Sequence, residues 1–305
     1  MPIRTSSAHA LPAPNTAALE STAVVDPHRN YAVAPILGGV ELLSAVYRKH
    51  RFAPHSQDAA VIGVVEQGRA VVFGGGETLT LEKGSVLVIP PHVLHDAYSL
   101  GDGEWHYRAL YLNRSQIAEL TPDARVGQGV LGTRPIVLQT ADVTNRVLAV
   151  HESLSHACEH TCLPVLDDMR ALLHTLDAHV VKGLRDPFDA QRVSVGIARV
   201  RRLLDDDPLP KRSLSSLAAI ARLNRFTFAH AFSRAYGISP HAYALQRRVT
   251  AVRDLLIAGE LVSRAAHHVG FADQSHLTRR FVSVVGVTPG EFRRAWQQIS
   301  THGAH

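Results

Sequence analysis

The 305-residue sequence contains only two cysteines, Cys158 and Cys162, both on a predicted helix. Two cysteines cannot build the disulfide framework of a small secreted domain, so we expect a cytoplasmic protein. No run of about 18 apolar residues is present, which argues against a membrane-spanning helix. The N-terminus lacks the charged start and solid apolar stretch of a signal peptide, and we interpret residues 1–30 as a flexible tail.

Acidic residues are scarce in the last third of the chain. Residues 189–305 carry 17 Lys and Arg against 8 Asp and Glu, a balance of +9. Residues 1–188 carry 15 against 19, a balance of −4, which leaves the net charge of +5. A basic segment behind a mildly acidic front indicates that only the C-terminal part meets a polyanion such as DNA.

Three zones of the chain differ in residue pattern, and together they predict an α+β fold. The first has short apolar runs between glycine and proline turns, which predicts a β-sandwich or a small barrel. In the second, apolar residues recur three or four apart, which predicts two helices divided at Pro164 that could pack on the β-domain or form a dimer contact. The third is wholly helical. The predicted boundaries are 31–140 for the β-domain, 141–188 for the helical linker, 189–298 for the C-terminal helical domain and 299–305 for a tail.

The helical third contains an internal repeat with an offset of 49 residues. Phe, Gly, an aliphatic residue, Ser or Thr, Pro and an aromatic residue recur in register in residues 232–243 and 281–292. Upstream, residues 217–218 match residues 265–266 at an offset of 48, so the second copy has one extra residue in its turn. Each copy therefore predicts a helix, a tight turn and a second helix, the layout that places its second helix in the major groove of DNA.

Polar residues flank the predicted helices of both copies. Ser213, Asn224 and Asp273 are candidate N-caps. Gly270 suits a left-handed helix end, whereas Arg222 suits it poorly. Because Arg can pair with guanine and Gln with adenine, we predict that the second helices read bases. These helices, 225–235 and 274–284, present away from their core Arg225, Phe226, Ala229 and His230 in copy one, and Gln274, Ser275, Thr278 and Arg279 in copy two.

The second copy closely resembles the signature of the AraC/XylS family of regulators. The matching residues are Gly-Phe-Ala-Asp-Gln-Ser-His-Leu-Thr-Arg-Arg-Phe at 270–281 and Gly-Val-Thr-Pro at 286–289. With the first copy, the resemblance covers about residues 193–296. It implies a seven-helix domain with two helix-turn-helix units joined by a helix over about 240–258. Copy one departs from the family pattern at His230, where members often carry Arg. By position, the base-facing residues are Arg225, Phe226, Ala229, His230, Gln274, Ser275, His276 and Arg279.

The front half resembles the cupin-like sensor domain of many such regulators over about residues 40–112. The matching pieces include His-Ser-Gln-Asp at 55–58, Glu-Gln-Gly at 66–68, residues 81–92 and His95. The resemblance implies a small β-barrel whose mouth holds an effector. Strand alternation sends Trp105 and Tyr107 to one face and Arg108 to the other. The candidate effector-binding residues are His55, His95, Trp105 and Arg108.

Two histidine-containing stretches raise the alternative of a metal site. Cupin enzymes hold a metal with closely spaced histidines and a carboxylate, but Gln57 stands two residues after His55 where a histidine is needed. We therefore predict no catalytic metal and no cofactor. A cluster of two histidines and two cysteines at 156–162 suggests metal binding or redox sensing, yet on one helix the two pairs lie nearly opposite each other. Ordinary helix-packing cysteines are the favoured interpretation.

The combined pattern predicts a sequence-specific transcription regulator and not an enzyme. The expected partners are double-stranded DNA, an unidentified small-molecule effector and a second copy of the chain in a homodimer, with RNA polymerase as a further candidate and no membrane contact. Effector binding is expected to act through the helical linker. One alternative is a cupin oxygenase or isomerase with an added helical domain, which a full metal triad would favour. Another is an architectural DNA binder without sequence preference, against which the polar recognition faces argue.

Overall fold

The computed structural model describes residues 29–302 except residues 49, 76, 102, 123–129, 133, 158–161, 184–193 and 210. The described strands are β1 (Asn30–Ala34), β2 (Val40–Arg48), β3 (Arg51–His55), β4 (Ala60–Gln67), β5 (Ala70–Gly74), β6 (Glu77–Leu81), β7 (Val86–Ile89), β8 (His95–Ser99), β9 (Glu104–Leu112) and β10 (Ile136–Leu138). The described helices are α1 (Arg114–Leu120), α2 (Ala141–Ser155), α3 (Cys162–Gly183), α4 (Val195–Asp206), α5 (Leu214–Ala221), α6 (Arg225–Tyr236), α7 (Pro240–Ile257), α8 (Val262–Val269), α9 (Gln274–Val285) and α10 (Pro289–His302). None of the helices in these segments is long and apolar enough to cross a membrane.

Two antiparallel sheets form the β-domain. The larger has the strand order β1-β2-β9-β4-β7-β10 and the smaller has the order β3-β8-β5-β6. Among the described residues no strand pairing joins the two sheets, so the domain is a two-sheet arrangement where the resemblance implied a closed barrel. Because strand side chains alternate, Trp105, Tyr107 and Ala109 of β9 all enter the core between the sheets. The α+β fold class predicted from the sequence is confirmed.

The linker helices α2 and α3 pack on the β-domain. Val143 and Val147 of α2 and Leu173 of α3 share a core with the strand residues Val64 and Leu110. The break between the two helices comes after Ser155, earlier than predicted. Pro164 lies inside the first turn of α3, where a missing backbone N–H leaves no helical hydrogen bond unmade.

The C-terminal part contains seven helices, α4 to α10, in the predicted order. Helices α5 and α6 form the first helix-turn-helix unit, α8 and α9 form the second, and α7 joins them. The turn spans residues 222–224 in the first unit and 270–273 in the second, so the extra residue falls where the two offsets place it. Helix α10 continues to His302, so the prediction of a tail from residue 299 is wrong over its first residues.

Side-chain caps begin the helices as the sequence predicts. The side chains of Ser213, Asn224 and Asp273 each accept a hydrogen bond from the backbone N–H three residues later. Arg222 and Gly270 both occupy the left-handed region at the ends of α5 and α8, with φ of 56° and 79°. Glycine adopts this conformation freely, but the Cβ of any other L-residue opposes it.

Replacing Arg222 with glycine should therefore stabilise the first unit. The left-handed backbone costs a non-glycine residue roughly 1–2 kcal/mol, part of which is offset by the greater freedom of glycine in the unfolded chain. We expect Arg222→Gly to raise the free energy of unfolding by about 0.5–1 kcal/mol, measured by urea denaturation with circular dichroism. Gly270→Ala is the matched control: an added Cβ meets only Lys211 at 3.9 Å, so strain alone should destabilise the chain. A loss of stability in Arg222→Gly would contradict the argument.

The two helix-turn-helix units differ in what they pack against. The first unit has its own core, which includes Ile197, Phe228 and Phe232. The second unit shares a core with the β-domain, in which Phe281 and Phe292 are buried in one cluster with β-domain side chains such as Trp105. The second unit is thus held against the sensor half of the chain, while the first is organised around its own helices.

Candidate DNA-binding surface and effector cavity

The recognition helix of the first unit, α6, presents its predicted base-facing residues to solvent. Arg225, Phe226 and His230 are exposed, and Ala229 is half-buried. Phe228 and Phe232 on the opposite side are fully buried. Phe226 leaves 86% of its surface exposed, which is unusual for phenylalanine and suits contact with the methyl group of thymine.

The recognition helix of the second unit, α9, has the same division. Gln274, Ser275 and Arg279 are exposed, and Leu277 is buried. His276 is half-buried: its ring stands edge-on to Phe271 of the preceding turn, with ring centroids 5.4 Å apart. Burial, and then the charges of Arg280 and Arg279, lower the pKa of His276.

A cavity of about 50 Å³ lies between the two sheets of the β-domain. Three of the four predicted effector-binding residues, His55, His95 and Trp105, line it. Leucine, valine, isoleucine and alanine side chains make up much of the remaining wall, together with Phe52, Gln57, Tyr107 and Tyr111. The predicted residues are thus brought together in one place, apart from Arg108.

Arg108 lies outside the cavity. Its Nε donates to Glu66 at 2.9 Å and its Nη1 donates to Glu152 of α2 at 3.1 Å. The alternation of β9 explains this placement, because Arg108 and Trp105 are an odd number of residues apart and point to opposite faces of the sheet. Arg108 therefore ties the sheet to the linker helix, and the structure does not support its inclusion among the effector-binding residues.

His55 and His95 form a buried pair, with ring centroids 4.3 Å apart. The Nδ1 atom of His55 lies 2.8 Å from the carbonyl oxygen of Ala53, and the Nδ1 atom of His95 lies 2.9 Å from that of Val93. Burial lowers the pKa of His55, and burial together with the neighbouring His55 lowers the pKa of His95 to about 3. Both rings are therefore neutral near pH 7.

Aromatic rings continue the cavity wall beyond the histidines. The Trp105 ring centroid lies 5.3 Å from that of Tyr47 and 5.2 Å from that of Tyr107, and the ring of Phe52 stands edge-on to it. The Nε1 atom of Trp105 is buried and has no hydrogen-bond partner among the described residues. Burial raises the pKa of Tyr107, which keeps its hydroxyl protonated.

The roof of the cavity comes from the DNA-binding domain. Val284 and Val285, at the end of recognition helix α9, line it together with the β-domain residues. The chain then turns at Gly286, where φ is 86° and an added Cβ would lie 3.5 Å from Phe52. Sequence reasoning missed these two valines, because apolar residues at the end of a helix ordinarily indicate only helix packing.

Two ion pairs join the two domains, and we call the buried pair Glu41–Arg253 and the partly exposed pair Asp58–Arg247 the interdomain latch. Arg253 Nη2 lies 2.5 Å from Glu41 Oε1, with the side chains 17% and 13% exposed. Tyr31 donates a hydrogen bond to the same carboxylate at 2.7 Å. Arg247 Nη1 lies 3.1 Å from Asp58 Oδ1.

A histidine strengthens the second pair of the latch. His92 hydrogen-bonds to Asp58, and this bond together with the charge of Arg247 lowers the pKa of that carboxyl to about 2, although partial burial opposes the shift. Next to Arg247 on α7, Gln246 donates to the carbonyl oxygen of Pro54 at 2.7 Å. Asp58 therefore stays charged across the physiological pH range.

The described residues contain no group of three or more His, Cys, Asp or Glu side chains that could hold a metal ion. Of the predicted cluster at 156–162, residues 158–161 lie outside the described residues. His156 is exposed and lies 3.2 Å from Glu152. Metal binding or redox sensing by this cluster stays untested.

Both halves of the chain match known protein families. Residues 37–163 match the AraC-like ligand binding domain, and residues 217–295 match a helix-turn-helix domain. The chain is 22% identical over 234 residues to the uncharacterized HTH-type transcriptional regulator YbfI of Bacillus subtilis, covering 74% of this chain and 82% of the relative. It is also 22% identical over 246 residues to the arabinose operon regulatory protein of Salmonella typhimurium, covering 79% and 85%.

The fold is similar to that of ToxT from Vibrio cholerae in a structure bound to an unsaturated fatty acid. That likeness has a TM-score of 0.53 at 16% identity and covers 83% of this chain and 94% of ToxT. Two matched domains in this order, and relatives that are transcription regulators over most of their length, confirm the resemblance found in the sequence. The chain belongs to the AraC family of DNA-binding transcription regulators and carries an AraC-like ligand-binding domain ahead of its helix-turn-helix domain.

Proposed function

We propose that this regulator reads a specific operator with the exposed faces of α6 and α9, under the control of a small molecule bound in the β-domain cavity. The observation that carries the DNA-reading part is the exposure of Arg225, His230, Gln274 and Arg279 on the two helices whose opposite faces are buried. Arg and Gln side chains can each form two hydrogen bonds to one base, which is how the major groove is read. Binding-site selection from randomised DNA by the full chain tests this proposal, and enrichment of no sequence would contradict it.

The two recognition helices should contribute unequally. Arg279→Ala removes a side chain that can form a bidentate contact to guanine, so we expect it to cost about 1–3 kcal/mol and to relax preference at one or two base pairs. His230→Ala should cost less, because an imidazole lacks the planar fork of donors with which Arg holds one guanine. Selection from randomised DNA followed by titration of the preferred site measures both effects.

Arg234→Ala is the matched control for the loss of charge, since Arg234 is exposed at the last turn of α6 outside the base-facing set. It should weaken all DNA sequences equally and lower the salt dependence of binding. If Arg279→Ala behaves in the same way, Arg279 contacts a phosphate. If His230→Ala is more damaging than Arg279→Ala, the first unit dominates recognition.

The control signal should pass through the roof of the cavity, and not through the linker helices as the sequence analysis expected. Val284 and Val285 touch the cavity and belong to the helix that carries Arg279. Helices α2 and α3 instead pack in a separate cluster with residues such as Val64 and Leu110. An effector that fills the cavity would therefore displace the second helix-turn-helix unit directly. It shifts the population of the chain toward the displaced arrangement because it binds that arrangement more tightly than the docked one.

Breaking an ion pair of the latch should displace the second unit in the same way as an effector does. In the closed arrangement, in which both latch pairs are formed, the second unit is fixed on the β-domain. This limits how far the two units can adjust their positions to successive segments of the major groove. Glu41→Gln leaves Arg253 buried without its partner charge, so the closed arrangement should lose population. We expect the Kd for operator DNA to fall by about three- to tenfold, since a shift of about 1.4 kcal/mol is tenfold in affinity.

Glu77→Gln provides the charge-matched control, because Glu77 pairs with Arg134 at 3.0 Å on the surface of the β-domain, away from the latch. Small-angle scattering of both variants reports whether the domains separate. Equal DNA affinity in wild type and Glu41→Gln, with an enlarged radius of gyration in the latter, would show that the latch does not restrict DNA binding.

The remaining parts of the proposal concern partners and location. We propose a cytoplasmic, non-enzymatic regulator that acts as a homodimer and contacts RNA polymerase, with the domain boundaries predicted from the sequence except that the DNA-binding domain extends to the end of α10 at His302. Because α2 and α3 bury their apolar stripes against the β-domain, a dimer contact through the linker would use their outer faces. Analytical ultracentrifugation of the full chain tests the homodimer.

A further inference from the structure

The histidine pair offers the cavity two hydrogen-bond acceptors. A backbone carbonyl can only accept, so the Nδ1 atoms of His55 and His95 carry the protons that point to Ala53 and Val93. The Nε2 atom of each neutral ring is then an unprotonated acceptor. Both residues line the cavity, and no hydrogen bond joins either Nε2 atom to another described residue. An acceptor that faces an apolar cavity is costly to leave unpaired, and a ligand hydroxyl group, which carries one proton, can donate to one of the two Nε2 atoms.

The charge of the cavity wall selects an uncharged ligand. Among the residues that line the cavity there is no Lys or Arg to neutralise an anion and no Asp or Glu to neutralise a cation. A carboxylate would also face two imidazole lone pairs, which repel it, and the indole N–H of Trp105, unpartnered among the described residues, is a neutral donor that does not balance its charge. Burying an unpaired charge in such surroundings costs far more than burying a hydroxyl group.

The shape of the wall favours a flat ring. Phe52, Trp105 and Tyr107 all line the cavity, where the ring of Trp105 contacts each of the other two, and small apolar side chains such as Val72 and Ala97 line it as well. Aromatic rings prefer offset or edge-on neighbours of their own kind, and these three offer both.

We propose that the cavity binds a small uncharged aromatic alcohol of the phenol class, whose hydroxyl group donates its hydrogen bond to one Nε2 atom of the His55–His95 pair. This inference rests on the proposed function and names the chemical class of its effector. A metal ion is the competing ligand for two neutral imidazoles, but zinc takes three or four protein ligands and the described residues supply no such group.

The cavity is smaller than a ligand of this class requires. A volume of about 50 Å³ has room for one or two water molecules, whereas a cavity that accepts benzene measures about 150 Å³. A ring of this class therefore needs the cavity wall to move outward, and Val284 and Val285 are the lining residues that belong to the DNA-binding domain. Movement of these two valines would couple ligand binding to displacement of the second helix-turn-helix unit.

Isothermal titration of the full chain with phenol, toluene and benzoate at pH 7.5 tests the proposal. The three probes share one ring and differ in a donor hydroxyl, a methyl group and a negative charge. We expect phenol to bind at least tenfold more tightly than toluene or benzoate. His95→Phe should weaken phenol binding at least tenfold and leave toluene binding intact, which also shows that the variant is folded. His106→Phe, at a neighbouring position that does not line the cavity, should leave phenol binding unchanged.

Several outcomes would overturn the proposal: benzoate or toluene binding as tightly as phenol, no heat with any probe at millimolar concentration, or a loss of phenol binding in His106→Phe as large as in His95→Phe. Zinc binding at micromolar concentration that disappears in His95→Phe, in place of phenol binding, would make the pair a metal site. Operator binding by the same wild-type preparation separates this result from the proposed function. If the chain selects a DNA sequence and ignores phenol, only the ligand class fails.

Discussion

The architecture depends on one contact, the packing of the second helix-turn-helix unit onto the open side of the β-domain. Phe281 of that unit and Phe292 of the following helix α10 are completely buried in one cluster with side chains of the sensor half. Because protein interiors are close-packed, side chains that share a core cannot move independently, and a change of volume in the β-domain cavity must be met by the helix that closes it. The buried pair Glu41–Arg253 makes this apolar contact specific for one orientation, since a charge pair of low exposure tolerates few relative orientations of the domains.

Local features of the helical domain could be predicted because local signals dictate them. The repeat offsets of 49 and 48 place the helices and the extra turn residue, and the caps at Asn224 and Asp273 follow from side chains that accept a backbone N–H. The cavity residues His55, His95 and Trp105 were accessible by resemblance and by strand alternation. The same alternation places Arg108 and Trp105 on opposite faces of the sheet. Including Arg108 among the effector-binding residues therefore disregarded this pattern.

The contacts between domains could not be predicted in this way. Glu41 and Arg253 lie 212 residues apart, and no periodicity or turn signal relates two positions at that distance. Val284 and Val285 follow the apolar pattern of an ordinary helix end, and only the docked arrangement makes them part of a cavity wall. The two-sheet form of the β-domain is a similar case, because the strands themselves were visible in the sequence while their partners in the sheet were not.

The difference between the two units suggests a division of labour within the DNA-binding domain. The core of the first unit contains Phe228 and Phe232 together with Ile197 of the preceding helix α4, and Leu94 is the β-domain side chain that packs against it, so its recognition helix depends less on the state of the β-domain. The second unit draws part of its core from the β-domain, so its position depends on the state of the cavity. Two adjacent DNA contacts raise each other's effective concentration only when their spacing fits the groove. Ligand binding in the cavity that moves one unit relative to the other can therefore change the affinity for a two-part operator without altering a single base-reading side chain.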